Sequence, residues 1–413
     1  MAPAGGQGPL GLLRQRDFLG VWLAGALTGN VRWLEMLVAG VYIFDQTGSP
    51  FLVALIAVAR LAPLAVVGAL TGAVTERVGH RRLFLIGNVV MLAVAILLAV
   101  AAYGGILQVW HVFTGAFATG LFWTSDLPAR RALLGNIAGE DRVAQAMGLD
   151  AATNNFNRML GPALGGILLA GIGIEGAYLL AVLFYLASLA AMLMVRADNA
   201  TRAGVGVFSS LLEGFRLVRA DRALTGTLIV TVIFNVWGFP YTSMIPVIGA
   251  ETLALGPDLV GLLAGTEGAG ALTGALLIAA FARAAQFRTI YFFGTLLFMT
   301  ATLAFAWCPW PTLSAAILLI GGLGGAGFAT MQSTIIFLSA PPAAKSRMMG
   351  ILSVAIGTGP IGFLHIGWLA DSFGAPAAVT ISALEGLTAL ALVWWFYPEI
   401  RGRRENEAGT PAA

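Results

Sequence analysis

The chain has 413 residues, of which 58% are hydrophobic and only 10% are Asp, Glu, Lys or Arg. A soluble domain carries about 25% charged residues, so this composition excludes a disordered chain and a water-soluble enzyme. The formal charge of +3 gives no sign of a nucleic-acid partner, and the one cysteine, Cys308, excludes an internal disulfide and thiolate metal clusters.

A membrane-spanning helix needs about 20 apolar residues, and twelve such runs follow one another. They predict helices over 17–44, 51–75, 83–103, 107–128, 148–171, 175–195, 223–250, 258–282, 289–308, 311–339, 347–370 and 376–397. Gly and Pro mark many outer turns, among them Thr47–Pro50, Gly171–Gly173 and Gly374–Pro376. Arg14 and Arg16 precede the first run, which is long enough to stay as an anchor. With the N-terminus in the cytoplasm, twenty of the twenty-three Lys and Arg residues fall in inner loops or tails, Arg130 and Arg131 among them, and none in outer loops. This positive-inside split predicts an all-α membrane protein with twelve transmembrane helices and both termini cytoplasmic, in the inner membrane. The basic inner face suits anionic lipid headgroups.

The longest inner loop divides the spans six and six. It predicts an N-terminal half over 1–195, a linker over 196–222, a C-terminal half over 223–400 and a disordered tail over 401–413. Within the linker, Phe208–Arg219 has apolar residues at helical spacing and reads as an amphipathic surface helix. Leu52–Arg60 aligns without a gap on Leu259–Glu267, so helix two matches helix eight. Two parallel six-helix halves form the architecture of one large transporter class.

The segment Gly72-Ala-Val-Thr-Glu76-Arg77-Val-Gly79-His80-Arg81-Arg82 resembles the loop signature of the major facilitator superfamily, with Glu76 where that family usually has Asp. There the glycines let helices approach, and an acid beside an arginine cluster can latch helix ends together. Pro128–Leu134, Arg158–Gly166, Trp33, the Thr47–Pro50 turn and Asn235–Pro240 resemble the efflux branch that contains the enterobactin exporter. The resemblance implies a monomeric secondary transporter working by alternating access, with helices one, four, seven and ten lining its cavity.

An ionisable group at the bilayer centre costs about 2.5–3.5 kcal/mol. Arg32, Glu35, Arg60, Arg158, Glu267 and Glu385 stand inside spans and sum to zero charge. Arg32 and Glu35 are spaced to share a face of helix one, as a self-neutralised pair or as a coupling acid with its tuning cation. Arg158 and Glu267 both fall near the midplane. The resemblance packs helices five and eight together, which implies that these two residues approach and that protonating Glu267 would release Arg158. Arg60, the repeat mate of Glu267, is expected to face helix eleven and His365. Glu385 lies on helix twelve, an outer helix by the same resemblance, and little is expected of it.

The cavity candidates are Asn30, Arg32, His111, Trp123, Asn154, Asn235, Trp237, Tyr241 and Gln332. Aromatic rings with a few amides suit a bulky organic cargo. Gly321–Gly327 lacks the Lys-Ser/Thr of a phosphate-binding loop, and Gly357–Pro360 suggests a kink in helix eleven. No metal site, cofactor or intramembrane hydrolase motif is expected. The reading is proton-coupled export, by antiport, of a small organic molecule such as a drug or siderophore. Uptake, lipid flipping and a non-transporting membrane sensor are the alternatives.

Overall fold

A computed structural model describes residues 9–196, 218–219, 221–340 and 345–401, with the backbone alone at 9–10, 65–77, 140, 345–346 and 401. Among the described residues the secondary structure is entirely helical. The helices are α1 (Arg16–Thr47), α2 (Pro50–Val78), α3 (His80–Tyr103), α4 (Val109–Ala138), α5 (Val143–Gly171), α6 (Ile174–Leu193) and α7, which begins at Arg222–Ile233. They continue with α8 (Pro257–Phe281), α9 (Phe287–Ala306), α10 (Pro311–Ser339), α11 (Lys345–Ile356, then Gly359–Phe373) and α12 (Ala375–Phe396). The protein is a multi-pass membrane protein. Among the described residues α3 and α6 through α12 have the length and mean hydropathy to cross a bilayer. The other four carry most of the buried or half-buried charge: Arg32 and Glu35 on α1, Arg60 on α2, Asp126 and Arg130 on α4, and Asp150 and Arg158 on α5.

Local chemistry sets the helix limits. Gly48 closes α1 with φ +62°, and a single residue, Gly79 at φ +86°, separates α2 from α3. A side chain at either position would meet steric strain. Asp221 caps α7, its carboxylate accepting the amides of Ala223 and Leu224 at 2.8 and 3.1 Å. α7 is not the uniform helix that its hydropathy suggests. It widens into a π turn at Phe234–Gly238, tightens into a 3₁₀ segment at Phe239–Met244 and ends as Ile245–Glu251. α11 breaks at Gly357–Thr358.

The chain divides into two compact units, Met1–Val205 with Thr242–Ala269, and Gly206–Tyr241 with Gly270–Ala413. In the first, α1 packs against α5 and α6, and α2 and α3 pack against α4. Among the described residues, apolar clusters in this unit are centred on Phe18 and Phe84, on Leu34 and Val38, and on Met91 and Tyr185. In the second, α9 packs against α10 and α12, and a cluster of Leu228, Ile336 and Met348 joins α7, α10 and α11. The Phe208–Arg219 helix expected in the linker and the tail expected over 401–413 lie almost wholly outside the described residues.

Candidate functional site

The first unit gathers a connected set of charged and aromatic side chains. α5 and α8 approach until their backbones touch. A Cβ on Gly261 would lie 2.5 Å from the Pro162 carbonyl, and one on Gly268 would lie 2.5 Å from the carbonyl carbon of Arg158. Glycines at 261, 265 and 268 therefore form the face of α8 against α5. This contact brings Arg158 and Glu267 together, with Nη2 donating to Oε1 at 2.6 Å. Glu267 is 3% exposed, and the Arg158 side chain 13%. The charge-assisted hydrogen bond makes burial of both ions tolerable.

The Arg158 guanidinium also lies 5.5 Å from the centre of the Trp33 ring. Arg32 lies 5.8 Å from the same ring and 4.8 Å from that of Trp123. Its Nη2 donates to Asn154 Oδ1 at 2.8 Å. Trp33 is thus shared by two cations, each partly neutralised by a ring face. Sequence reading noted Trp33 as a family feature but not as the link between Arg32 and Arg158. The indole N–H groups of Trp33 and Trp123 and Oδ1 of Asn30 are buried without a protein partner. These groups leave hydrogen-bonding capacity inside a largely apolar bundle.

The expected Arg32–Glu35 unit is not formed. Arg32 turns to α4 and α5, whereas Glu35 accepts from Thr119 Oγ1 at 3.2 Å and lines a small cavity with Arg60. Arg60 does not take the expected partner either. It is 7% exposed, and its Nη1 donates to the Arg32 carbonyl at 2.8 Å. α2 is apolar on all sides, so its hydropathy does not reveal which face meets a neighbour, and packing turns Arg60 to α1.

Toward the other end of α4 and α5, Asp150 accepts from Arg130 Nη1 and, at 3.0 Å, from Arg131 Nε. Asp126 lies 4.0 Å from Arg130. Both arginines were expected in a loop, but α4 runs on to Ala138 and carries them as helix residues. Asp150 was not singled out from sequence. Asp150→Asn removes the charge while keeping one acceptor, and it is expected to lower stability by about 2 kcal/mol. Thermal unfolding in detergent checks this, and an unchanged midpoint would mean that Asp126 suffices for Arg130.

His111 lies apart, in the first turn of α4, where Nδ1 accepts the Gln108 amide at 3.0 Å and the ring stacks on Trp110. Of the loop signature, Gly79, Arg81 and Arg82 are described, with Arg81 half-buried and Arg82 exposed. Gly72, Glu76 and Arg77 belong to the helical backbone of α2, and their side chains lie outside the described residues.

In the second unit, Asn235 Nδ2 donates to the Thr231 carbonyl at 2.8 Å, inside its own helix. Tyr241 is 1% exposed and packs between Phe298 and Phe305, so it belongs to the aromatic core rather than to a cavity wall. Gln332 is buried, with Oε1 unpaired. Trp237 Nε1 donates to Glu385 Oε2 at 2.9 Å, and the same oxygen lies 2.7 Å from His365 Nε2. His365 is therefore engaged by α12, and Glu385, of which little was expected, is the hub of this group.

Residues 7–406 match the model of the family described as transmembrane secretion effector. The multidrug efflux pump Tap of Mycolicibacterium fortuitum is 25% identical over 87% of this chain and 90% of its own length. The staphyloferrin A transporter of Staphylococcus aureus is 20% identical over 82% of this chain and 85% of its own. An uncharacterised MFS-type transporter, YfiS of Bacillus subtilis, is 25% identical, and the chain spans 65% of its length, just under two thirds. Among solved structures, an inward-facing bacterial homologue of the human lysosomal transporter Spinster superposes with a TM-score of 0.74. It is 13% identical and covers 94% of this chain and 98% of that one, which is a likeness of fold.

Proposed function

Because the chain belongs to the transmembrane secretion effector family of major facilitator transporters, we propose that it exports a small organic molecule in exchange for protons. The observation that carries this reading is the Arg158–Glu267 pair, buried beside the Trp33, Arg32 and Trp123 stack. A proton on Glu267 removes its negative charge and releases Arg158, so protonation can bias one conformation over another. The neighbouring rings offer flat apolar faces, and the amide of Asn154 and the unpaired groups of Asn30, Trp33 and Trp123 offer sparse hydrogen bonds. That combination suits a bulky organic cargo. The efflux pump and the siderophore transporter among the relatives support a drug or siderophore as cargo. In this reading both termini are cytoplasmic, the halves 1–195 and 223–400 work as a monomer in the inner membrane, and Glu35 is a second candidate proton carrier.

The test is reconstitution in liposomes containing a pH-sensitive dye, with a panel of siderophores and amphipathic drugs added. Cargo-dependent proton flux is expected in the wild type and is expected to vanish in Glu267→Gln. Flux that survives in both Glu267→Gln and Glu35→Gln would remove these acids from the coupling step.

A further inference from the structure

The second unit contains an open groove of about 600 Å³, formed by α7, α11 and α12. Each helix contributes one stripe. Leu228 and Val232 come from α7, Ile351 and Ala355 from α11, and Ala389 and Leu392 from α12. Val354, Leu392 and Phe396 on its margin are exposed. A groove with an apolar wall and an apolar rim opens to hydrocarbon, not to water. From Phe396 to Glu385 on α12 is about 16 Å at the helical rise, or roughly half of a bilayer core about 30 Å thick. The groove therefore has the depth of one leaflet.

Its two ends differ. At the surface end Arg222 donates Nε to Glu399 at 2.7 Å and Nη2 to the Phe396 carbonyl at 2.6 Å, and its guanidinium lies over Tyr397. That cation is already engaged. At the midplane end Trp237 lines the groove and donates its indole N–H to Glu385. Glu385 lies one turn from Ala389 on the same face of α12. Both of its bonds, with Trp237 and with His365, fall on Oε2, which accepts. The side chain remains 41% exposed, and Oε1 has no protein partner among the described residues. A carboxylate with a free oxygen at midplane depth, beside an indole face, presents the complement of an organic cation.

We propose that this groove binds an amphipathic organic cation that enters sideways from the membrane, its charged centre at Glu385 and Trp237 and its apolar body along α7, α11 and α12. The site is separate from the Arg158–Glu267 constellation and does not rest on proton coupling.

The test uses the full-length protein in nanodiscs of phosphatidylcholine, with no gradient applied. Radiolabelled tetraphenylphosphonium is the probe, compared with the anion of similar shape, tetraphenylborate. Saturable binding of the cation and none of the anion is expected. Glu385→Gln is expected to weaken cation binding at least tenfold, and Ala389→Trp, which fills the groove, to abolish it. Equal binding of both ions, or cation binding untouched by Ala389→Trp, would overturn the proposal and leave a groove for lipid tails. Absence of cation binding in the wild type, with its proton flux intact, would overturn this inference alone, because the assay does not depend on coupling.

Discussion

Glu267→Leu and Arg158→Leu are each expected to destabilise the protein by about 3–5 kcal/mol, whereas the double replacement by leucines is expected to recover most of that loss. The single changes leave one buried ion without its partner. Glu267 is 3% exposed, so Arg158 would face an apolar contact between α5 and α8, with Arg32 also close to the Trp33 ring. An uncompensated buried charge carries a penalty of this size. The double variant buries no charge, and exchanging an ion pair for apolar side chains of similar volume is often neutral. Stability in mixed micelles, titrated with a denaturing detergent, gives the cycle. Transport separates stability from function, because the double variant is expected to be folded yet uncoupled. If it is as unstable as the single variants, the pair is not the source of the loss, and local packing of the longer side chains is.

The spans were readable because hydropathy and the distribution of arginines carry the same signal twice. The approach of Arg158 to Glu267 was readable because counting puts each at a similar depth on its helix and the family resemblance packs helices five and eight together. Direction around a helix was harder. α2 offers no polar face near Arg60, so only the finished packing shows that Arg60 turns to the Arg32 carbonyl. Along α7 the π turn at Phe234–Gly238 shifts the register, and residue type alone does not show that Tyr241 packs against Phe298. Asp150 was missed because its partners Arg130 and Arg131 lie past the apolar segment of α4, where arginines look like ordinary inner-loop residues. Trp33 gains its place from long-range contacts with Arg158, and local spacing does not contain them.

Gly268→Leu is expected to abolish coupling although it adds no charge and removes no polar atom. A Cβ at this position would stand 2.5 Å from both the carbonyl carbon of Arg158 and the amide nitrogen of Met159. Those are backbone atoms, which cannot swing away as a side-chain tip can. α8 must therefore tilt or slide from α5, and overpacking of this kind costs about 1–3 kcal/mol or more. The 2.6 Å bond between Arg158 and Glu267 is held by that same approach, so separation of the helices lengthens it beyond hydrogen-bonding range. Gly148, also on α5, supplies the contrast, since a Cβ there meets nothing within 4 Å. Gly148→Ala is expected to be neutral, or stabilising by up to about 1 kcal/mol through helix propensity. Both variants can be compared with Glu267→Gln in the same liposome assay. If Gly268→Leu behaves like Glu267→Gln, the close approach of α5 and α8 is what positions the pair. If Gly268→Leu couples as the wild type does, the pair does not depend on glycine at this contact and must be held from the side of Trp33 and Arg32.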